Sequence, residues 1–332
     1  MDWPAISILI PVRNEESNID RCLEGIFEND YPLDKMQVIV VDGCSTDRTA
    51  DIVRDWMKHH PQVELHTNPE RVPYTGLNIA LARASNPIVA RVDARSIIPG
   101  DYFKKCVRTL LETGADNVGG VQKQYGQTPR QKAIACAVGH PLGVGNAEFR
   151  LGWRSGFVDT VYLGCFRREL FDKLGGFDAD GPVVSEDSAF NQRIRDSGGR
   201  VYLNHEIVVQ YPAKTTYSEL ARQYFIYGGA KAHIVRKYRK LTSLRQGVPL
   251  IFVLVLVFSA ILAPFSSVAM ALFGAMAVAY LTACLLASFQ IACFREKKPI
   301  LFFYLLPCFP CIHFSWAFGF CVRFFEGQRA GD

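Results

Sequence analysis

The sequence predicts a doubly wound α/β domain followed by a membrane-embedded tail, and two observations carry that reading. Over the first part of the chain, short apolar runs rich in β-branched residues alternate with helical patterns, and each run ends in polar residues. That alternation describes a parallel sheet covered by helices. Later, 47 residues from Val248 to Phe294 and 24 more from Pro299 to Val322 pass without Asp, Glu, Lys or Arg. A helix of a soluble core needs a polar face, so runs of this kind belong in a bilayer. The 332-residue chain is 49% hydrophobic and 21% charged, which excludes a disordered or collagen-like polymer.

Taken in order, the first strand is Ile6-Ser-Ile-Leu-Ile10, ended by Pro11 and the polar Arg13-Asn14-Glu15-Glu16. From Ser17, the spacing of Ile19, Cys22, Leu23 and Ile26 puts the apolar groups on one face of a helix. A second strand, Gln37 to Val41, stops at Asp42-Gly-Cys-Ser-Thr-Asp47, and Thr49 to Met57 reads as the next helix. A third strand, Pro87 to Val92, runs into Asp93. In open α/β sheets ligands bind in the crevice beyond the carboxyl ends of the strands, where Arg13, Glu15, Asp42 and Asp93 stand. From about residue 118 to 212 the pattern is less regular, with strands at Val118–Gln122, Thr160–Gly164 and Arg200–Leu203 and a helix from Ser188 to Ser197. These extend the same sheet as the second wall of a cleft. Residues 216–245 form a basic amphipathic neck.

As one helix the 47-residue run would be about 70 Å long, against roughly 30 Å of hydrocarbon, so it folds as a hairpin broken at Pro264-Phe-Ser-Ser267. Arg295-Glu-Lys-Lys298 makes a basic loop, and residues 300–322 either span again or, because of Pro307 and Pro310, form a re-entrant or interfacial segment. The expected division is a soluble domain at 1–240 and a membrane domain at 246–332, with helices near 248–264, 267–294 and 300–322. Lys231, Arg236, Lys237, Arg239, Lys240 and Arg245 precede the first apolar run; they hold that flank in the cytoplasm and attract anionic head groups. With no signal peptide at the start, the expectation is a multi-pass protein of the inner cell membrane whose larger domain is cytoplasmic. The ten cysteines are scattered and read as reduced thiols, and the spacing of Cys308 and Cys311 lacks a second ligand pair for zinc. His140, His205 and His233 are isolated. Outside the neck no basic residue is interleaved with stacking aromatics, so nucleic acid is not an expected partner.

Four stretches in order carry a resemblance: Ile10-Pro-Val-Arg-Asn-Glu-Glu16, Val40-Val-Asp-Gly-Cys-Ser-Thr-Asp47, Arg91-Val-Asp-Ala-Arg95 and Ser185-Glu-Asp187. Over roughly residues 5–240 the chain resembles the family 2 glycosyltransferases. Within them it is most similar to membrane-anchored enzymes of bacterial exopolysaccharide assembly, of the succinoglycan ExoA type. The similarity to that type rests on the Arg-Val-Asp-Ala lead-in, Gln223-Tyr-Phe-Ile-Tyr-Gly228 and the apolar tail. The resemblance implies a GT-A fold, a Rossmann-like mixed sheet that binds a nucleotide-diphosphate sugar. It also implies that Pro11, Arg13, Glu15 and Asp42 line the nucleoside site, with Asn78 close by. Asp93 takes the place of the family's Asp-x-Asp motif, but the third position is Arg95, which cannot ligate a metal. Either Asp93 holds Mg²⁺ or Mn²⁺ with phosphate oxygens and water, or Arg95 itself pairs with the pyrophosphate. By the same resemblance Asp187 is the general base, and Glu186, Gln223 and Tyr227 lie on the acceptor side. Ile226 and Tyr227 replace an Arg and a Trp that many relatives carry.

Each of these residues also has a plainer role open to it. Asp42-Gly43 is ordinary turn chemistry. Asn78 can cap a helix, and Ser185 can do the same for a first turn holding Glu186 and Asp187. The leading expectation is an inverting transferase acting on a lipid-linked, polyprenyl-type saccharide. One alternative is a polyprenyl-phosphate sugar synthase, with Arg130, Lys132 and the 231–245 cluster near the lipid phosphate. Another is a non-catalytic nucleotide-sugar-binding scaffold, motivated by Arg95 and Ile226.

Overall fold

A computed structural model describes residues 2–178, 186–239 and 247–329. Strands β1 (Ile6–Val12) and β2 (Met36–Asp42) are buried almost throughout, as strands covered on both faces must be. Between them α1 (Ile19–Phe27) buries Ile19, Cys22, Leu23 and Ile26, the face its spacing predicts. Then follow α2 (Thr49–Met57), β3 (Val63–Thr67), α3 (Pro73–Arg83) and β4 (Ile88–Arg91), and β3-β2-β1-β4 form a parallel half-sheet. β3 had no signature in the sequence. It is an edge strand with Val63 alone fully buried, and Glu64 and His66 interrupt its apolar run.

The second half is built from α4 (Tyr102–Thr113), β5 (Asn117–Tyr125), α5 (Pro129–Val138), α6 (Pro141–Val144), α7 (Glu148–Leu151), β6 (Gly156–Phe157), β7 (Tyr162–Arg167), α8 (Glu169–Leu174), α9 (Glu186–Asp196) and β8 (Val201–Pro212). Among the described residues the sheet runs β3-β2-β1-β4-β7-β5-β8-β6. Here the parallel pattern of the first four strands ends, and the mixed sheet that the resemblance implies is found. β7 lies antiparallel to both β4 and β5, and β6 lies antiparallel to β8, so the sheet is mixed. Strand direction is set by where long connections return, and the alternation of apolar runs does not encode that. Gly119 and Gly120 sit at the irregularity between β5 and β7. A Cβ on Gly120 would collide with the Ile207 carbonyl and one on Gly119 with that of Tyr162, so neighbouring backbone approaches on both sides.

The chain divides into two compact units, Met1–Lys123 with Gly152–Tyr211 and Gln124–Leu151 with Pro212–Asp332. This differs from the expected boundary near 240–246. The neck helix α10 (Tyr217–Tyr238) and α5–α7 group with the apolar tail, that is with α11 (Gly247–Leu262), α12 (Ser267–Phe289), α13 (Leu301–Leu305) and α14 (Cys308–Arg329). The cause is hydrophobic: Ala133, Ile134 and Ala137 of α5 share a buried cluster with Leu301, Leu305 and Cys308. The hairpin breaks as expected, with Pro264 in the short helical turn Ala263–Phe265 and the Ser266 hydroxyl accepting from the Ala269 N–H at 3.3 Å. Among the described residues three helices are long and apolar enough to cross a membrane: Gly247–Phe265, Ser267–Arg295 and Leu301–Glu326. Lys240 and Arg245 of the neck and the loop Gly181–Ser185 lie outside the described residues.

Candidate active site

At the carboxyl ends of β1, β2 and β4, within the first unit, a cavity of about 300 Å³ opens. The loops after β1 and β2 are laced together to form its floor. The Gly43 N–H donates to the Val12 carbonyl at 2.8 Å. Asn14, in the left-handed region at φ 52°, donates its N–H to Ser45 Oγ at 2.9 Å and accepts from the Thr46 N–H through Oδ1 at 2.9 Å. The Glu15 N–H donates to Thr49 Oγ1 at 2.8 Å, so the first residue of α2 fixes Glu15 against the cavity.

Two arginine–carboxylate assemblies line the wall. Arg91, the last residue of β4, is half-buried and donates from Nε to Asp93 Oδ1 at 2.9 Å and from Nη2 to Glu186 Oε1 at 2.8 Å. Burial opposes its charge, yet Asp93, Glu186 and Asp187 together hold the guanidinium protonated more firmly than usual. Burial raises the Glu186 carboxyl above the ordinary carboxylate range; Arg91 opposes this, and the like charges of Asp187 and Asp93 add to it. One arginine cannot neutralise three carboxylates, so the upward direction is the physically sound one. In the second assembly Arg95 donates to Glu15 Oε1 from Nε at 2.7 Å and from Nη2 at 2.6 Å, while Asn18 Nδ2 holds the other Glu15 oxygen at 2.8 Å. Tyr211, also on the cavity wall, bonds Arg95.

Pro11, Arg13, Glu15, Asp93, Arg95 and Glu186 therefore meet at one cavity, although Glu186 is distant from the others in sequence. Asp42 and Asn78 do not line it. Asp42 is buried, and its two carboxylate oxygens accept from the Ser45 N–H and hydroxyl, the turn role open to it from the start. Asn78 spends its amide on the backbone of Phe177, accepting at 2.7 Å and donating at 2.8 Å. Asp187 is half-buried in the first turn of α9 beside Glu186, and its Oδ1 accepts from the Ser188 N–H at 2.6 Å. Ser185, the expected cap, lies outside the described residues. Gln223 and Tyr227 belong to the second unit, where Gln223 Nε2 donates to Tyr227 Oη at 2.8 Å. Arg71, Asn68, Tyr211 and Arg91 were missed as wall residues. For Arg91 a signal existed: a lone charge closing the otherwise buried strand Ile88-Val-Ala.

No group of three or more His, Cys, Asp or Glu with a metal-holding arrangement occurs among the described residues. A divalent ion held mainly by phosphate oxygens and water needs just one or two protein carboxylates. Asp93 fits that requirement: Arg91 occupies Oδ1, whereas Oδ2 lies 3.5 Å from the Tyr162 hydroxyl, too long for a strong bond.

The family model described as Glycosyl transferase family 2 matches residues 7–175, which contain β1 from its second residue, β2 to β7 and, among the described residues, all of the cavity wall except Glu186 and Tyr211. The chain belongs to this family. Among curated glycosyltransferase relatives, the succinoglycan biosynthesis protein ExoA of Rhizobium meliloti is 32% identical over 245 residues, covering 73% of this chain and 74% of the relative. A dolichyl N-acetyl-alpha-D-glucosaminyl phosphate 3-beta-D-2,3-diacetamido-2,3-dideoxy-beta-D-glucuronosyltransferase of Methanococcus voltae is 27% identical over 240 residues, covering 70% and 74%. Of solved structures, a mannosyltransferase of Pyrobaculum calidifontis in complex with GDP-Man and Mn²⁺ shares the fold, with a TM-score of 0.59 at 24% identity over 93% of this chain and 87% of that one. The fold is thus GT-A, and this family 2 chain is a glycosyltransferase with three membrane-length helices.

Proposed function

We propose that this glycosyltransferase moves a sugar, with inversion, from a nucleotide-diphosphate donor to a lipid-linked, polyprenyl-type saccharide acceptor in cell-surface glycan assembly. The observation that carries the reading is the strand-end cavity, where Arg13, Arg71 and Arg95 face Asp93 and Glu186, in a chain that also has membrane-length helices. Guanidinium forks match phosphate oxygens, and a strand-end crevice is where nucleotides settle on such sheets. Pro11, Arg13 and Glu15 contact the nucleoside, and Asp42 acts through the Gly43–Ser45 turn that it holds. Arg95 leaves Glu15 for the diphosphate. Asp93 would hold Mg²⁺ or Mn²⁺, which when bound neutralises charge on the leaving diphosphate.

The acceptor hydroxyl oxygen bonds to the anomeric carbon from the face opposite the diphosphate. The bond from that carbon to the diphosphate oxygen breaks with its electron pair, and the hydroxyl proton passes to the Asp187 carboxylate. One displacement with one base inverts the anomeric configuration without a covalent intermediate. Gln223 and Tyr227 serve on the acceptor side. The Methanococcus relative is named for transfer onto a dolichyl-linked sugar phosphate and the Rhizobium relative for succinoglycan biosynthesis, which supports a lipid-borne acceptor. Lys231, Arg236 and Lys237 before the first apolar helix support a cytoplasmic first unit at the inner membrane.

The test is turnover by detergent-purified protein across a panel of nucleotide sugars and polyprenyl-phosphate or polyprenyl-diphosphate saccharides, with Mn²⁺, Mg²⁺ or EDTA. One donor and one lipid saccharide should react, with the new linkage inverted relative to the donor. A sugar placed directly on polyprenyl phosphate, retention of configuration, or no reaction with any lipid would overturn the corresponding part of the proposal.

A further inference from the structure

The three apolar helices are not equivalent. In their most apolar stretches 6% is buried in Gly247–Phe265 and 11% in Ser267–Arg295, but 44% in Leu301–Glu326. The first two expose large apolar side chains around their circumference, among them Ile251, Phe258, Ile261, Met270, Leu281 and Leu286. A helix of that kind is stable only in lipid.

The third is covered partly by α10 and α5 of its own unit and partly by α12, whose Tyr280 hydroxyl lies 2.9 Å from His313 Nδ1. α10 runs beside this third helix in the same direction. The Tyr217 hydroxyl donates to the Tyr304 carbonyl at 2.9 Å, and the Phe225 and Phe318 rings lie 5.8 Å apart. A Cβ on Gly228 would collide with the Trp316 carbonyl and one on Gly319 with the Phe225 carbonyl, while one on Gly229 would press on Arg323. These contacts hold α10 to α13 at Tyr217 and bring it backbone to backbone against α14 at Phe225 and Gly228. On its exposed side α10 presents Glu219, Arg222, His233, Arg236 and Lys237. At the other end, α13 packs on α5, whose exposed Arg130 stacks on Tyr217 at 5.6 Å. If α14 crossed the bilayer, it would carry the charged face of α10 into hydrocarbon, where each such side chain is expensive.

Helix length agrees. Ser267–Arg295 has 29 residues, about 43 Å, against roughly 30 Å of hydrocarbon. Its surplus is its last turns, where Cys284, Ala287, Ile291 and Ala292 are buried with α5 and α13. That end of α12 therefore stands outside the bilayer, at the level where α13 begins. Among the described residues of α14 the exposed ones are Phe318, Arg323, Phe325 and Glu326, with Phe318 and Phe325 seven residues apart on one face. Such a face suits the boundary between head groups and acyl chains.

We propose that Leu301–Glu326 does not cross the membrane but lies in its interface with α10 and α5. The chain then spans twice, through the α11–α12 hairpin. Arg329 stays on the same side as Tyr217, and Tyr217 is separated from β8 by just the four residues Ala213–Thr216.

Epitope tags at both ends of the full-length chain test this whichever way the protein faces. Protease is added to sealed vesicles of each orientation. Two spans predict that both tags are destroyed in one vesicle orientation and both are protected in the other. Destruction of one tag with protection of the other, in either orientation, means three spans and overturns the proposal. As a second measurement, green fluorescent protein or alkaline phosphatase is fused after residue 332 or inserted at Pro264–Ser266. A fluorescent, phosphatase-silent C-terminal fusion with the opposite result at the hairpin turn supports two spans, and the same result at both points refutes them. Neither readout depends on donor or acceptor, so the proposed reaction and this topology stand or fall separately.

Discussion

Replacing Arg91 with Met tests whether one guanidinium holds the acidic wall of the cavity together. The side chain is 11% exposed and bonds Asp93 at 2.9 Å and Glu186 at 2.8 Å. Its two partners are unequal, since Glu186 is 9% exposed and Asp93 28%. Stranding one member of a buried ion pair costs about 3–5 kcal/mol. Water reaches and screens Asp93, so the Glu186 half sets the scale at about 2–3 kcal/mol. For a unit of this size each kcal/mol moves Tm by about 2–4 °C, and the expected drop is therefore about 5–10 °C. Turnover should fall about 100-fold or more, because Asp93 and the Glu186–Asp187 turn lose their common tether. The assay is thermal unfolding in detergent alongside donor turnover, extended to the double variant R91M/E186Q. A glutamine needs no counter-charge, so the double variant should recover about half or more of the lost stability. An R91M protein that unfolds with wild-type Tm, or a double variant whose losses merely add, would show that the clamp is not what orders this wall.

The other predictions concern neighbouring pieces of chemistry. D187N should lower turnover by about 10²–10⁴-fold while donor binding measured by calorimetry stays at the wild-type level; near-normal turnover would place the base elsewhere. For Glu186 the folded pKa is raised, by burial first, so the folded protein keeps this proton to higher pH than the unfolded chain does. Its stabilising contribution is present below the unfolded value of about 4.3 and is lost as pH rises through the folded pKa. Measured by thermal unfolding from about pH 5 to about pH 8, E186Q should therefore gain stability relative to wild type, and a constant difference would contradict the assignment. In the second unit, G319L should force α10 and α14 apart at the Phe225 carbonyl, costing about 1–3 kcal/mol. G274L, with nothing within 4 Å of the added Cβ, is the matched control, and equal stability of the two variants would refute the close packing.

Local periodicity made much of the fold legible. β1, α1, β2 and α2 appear where the apolar spacing puts them, because each buries one face or both and its pattern reports that burial directly. The hairpin break at Pro264 was equally readable, since hydrocarbon thickness limits how long one apolar helix can be. β3 was invisible because an edge strand has little apolar face to write into the sequence. The antiparallel course of β7 was hidden for another reason: between β5 and β7 the chain makes a long excursion through α5–α7, and composition does not say in which direction it returns.

The sequence by itself determined the residue types at the strand ends, the family motifs and the separation of charged from uncharged stretches, because these depend on local order and on water against lipid. The tertiary structure alone decided how the charges are paired. Arg95 reaches back 80 residues to Glu15, and Arg91 reaches forward from β4 to Glu186 at the start of α9. It also decided that α5 and α10 bury apolar side chains against the last apolar segment. Ion pairs and helix contacts are relations between distant parts of the chain, and their energy exists only once folding has excluded water from between them.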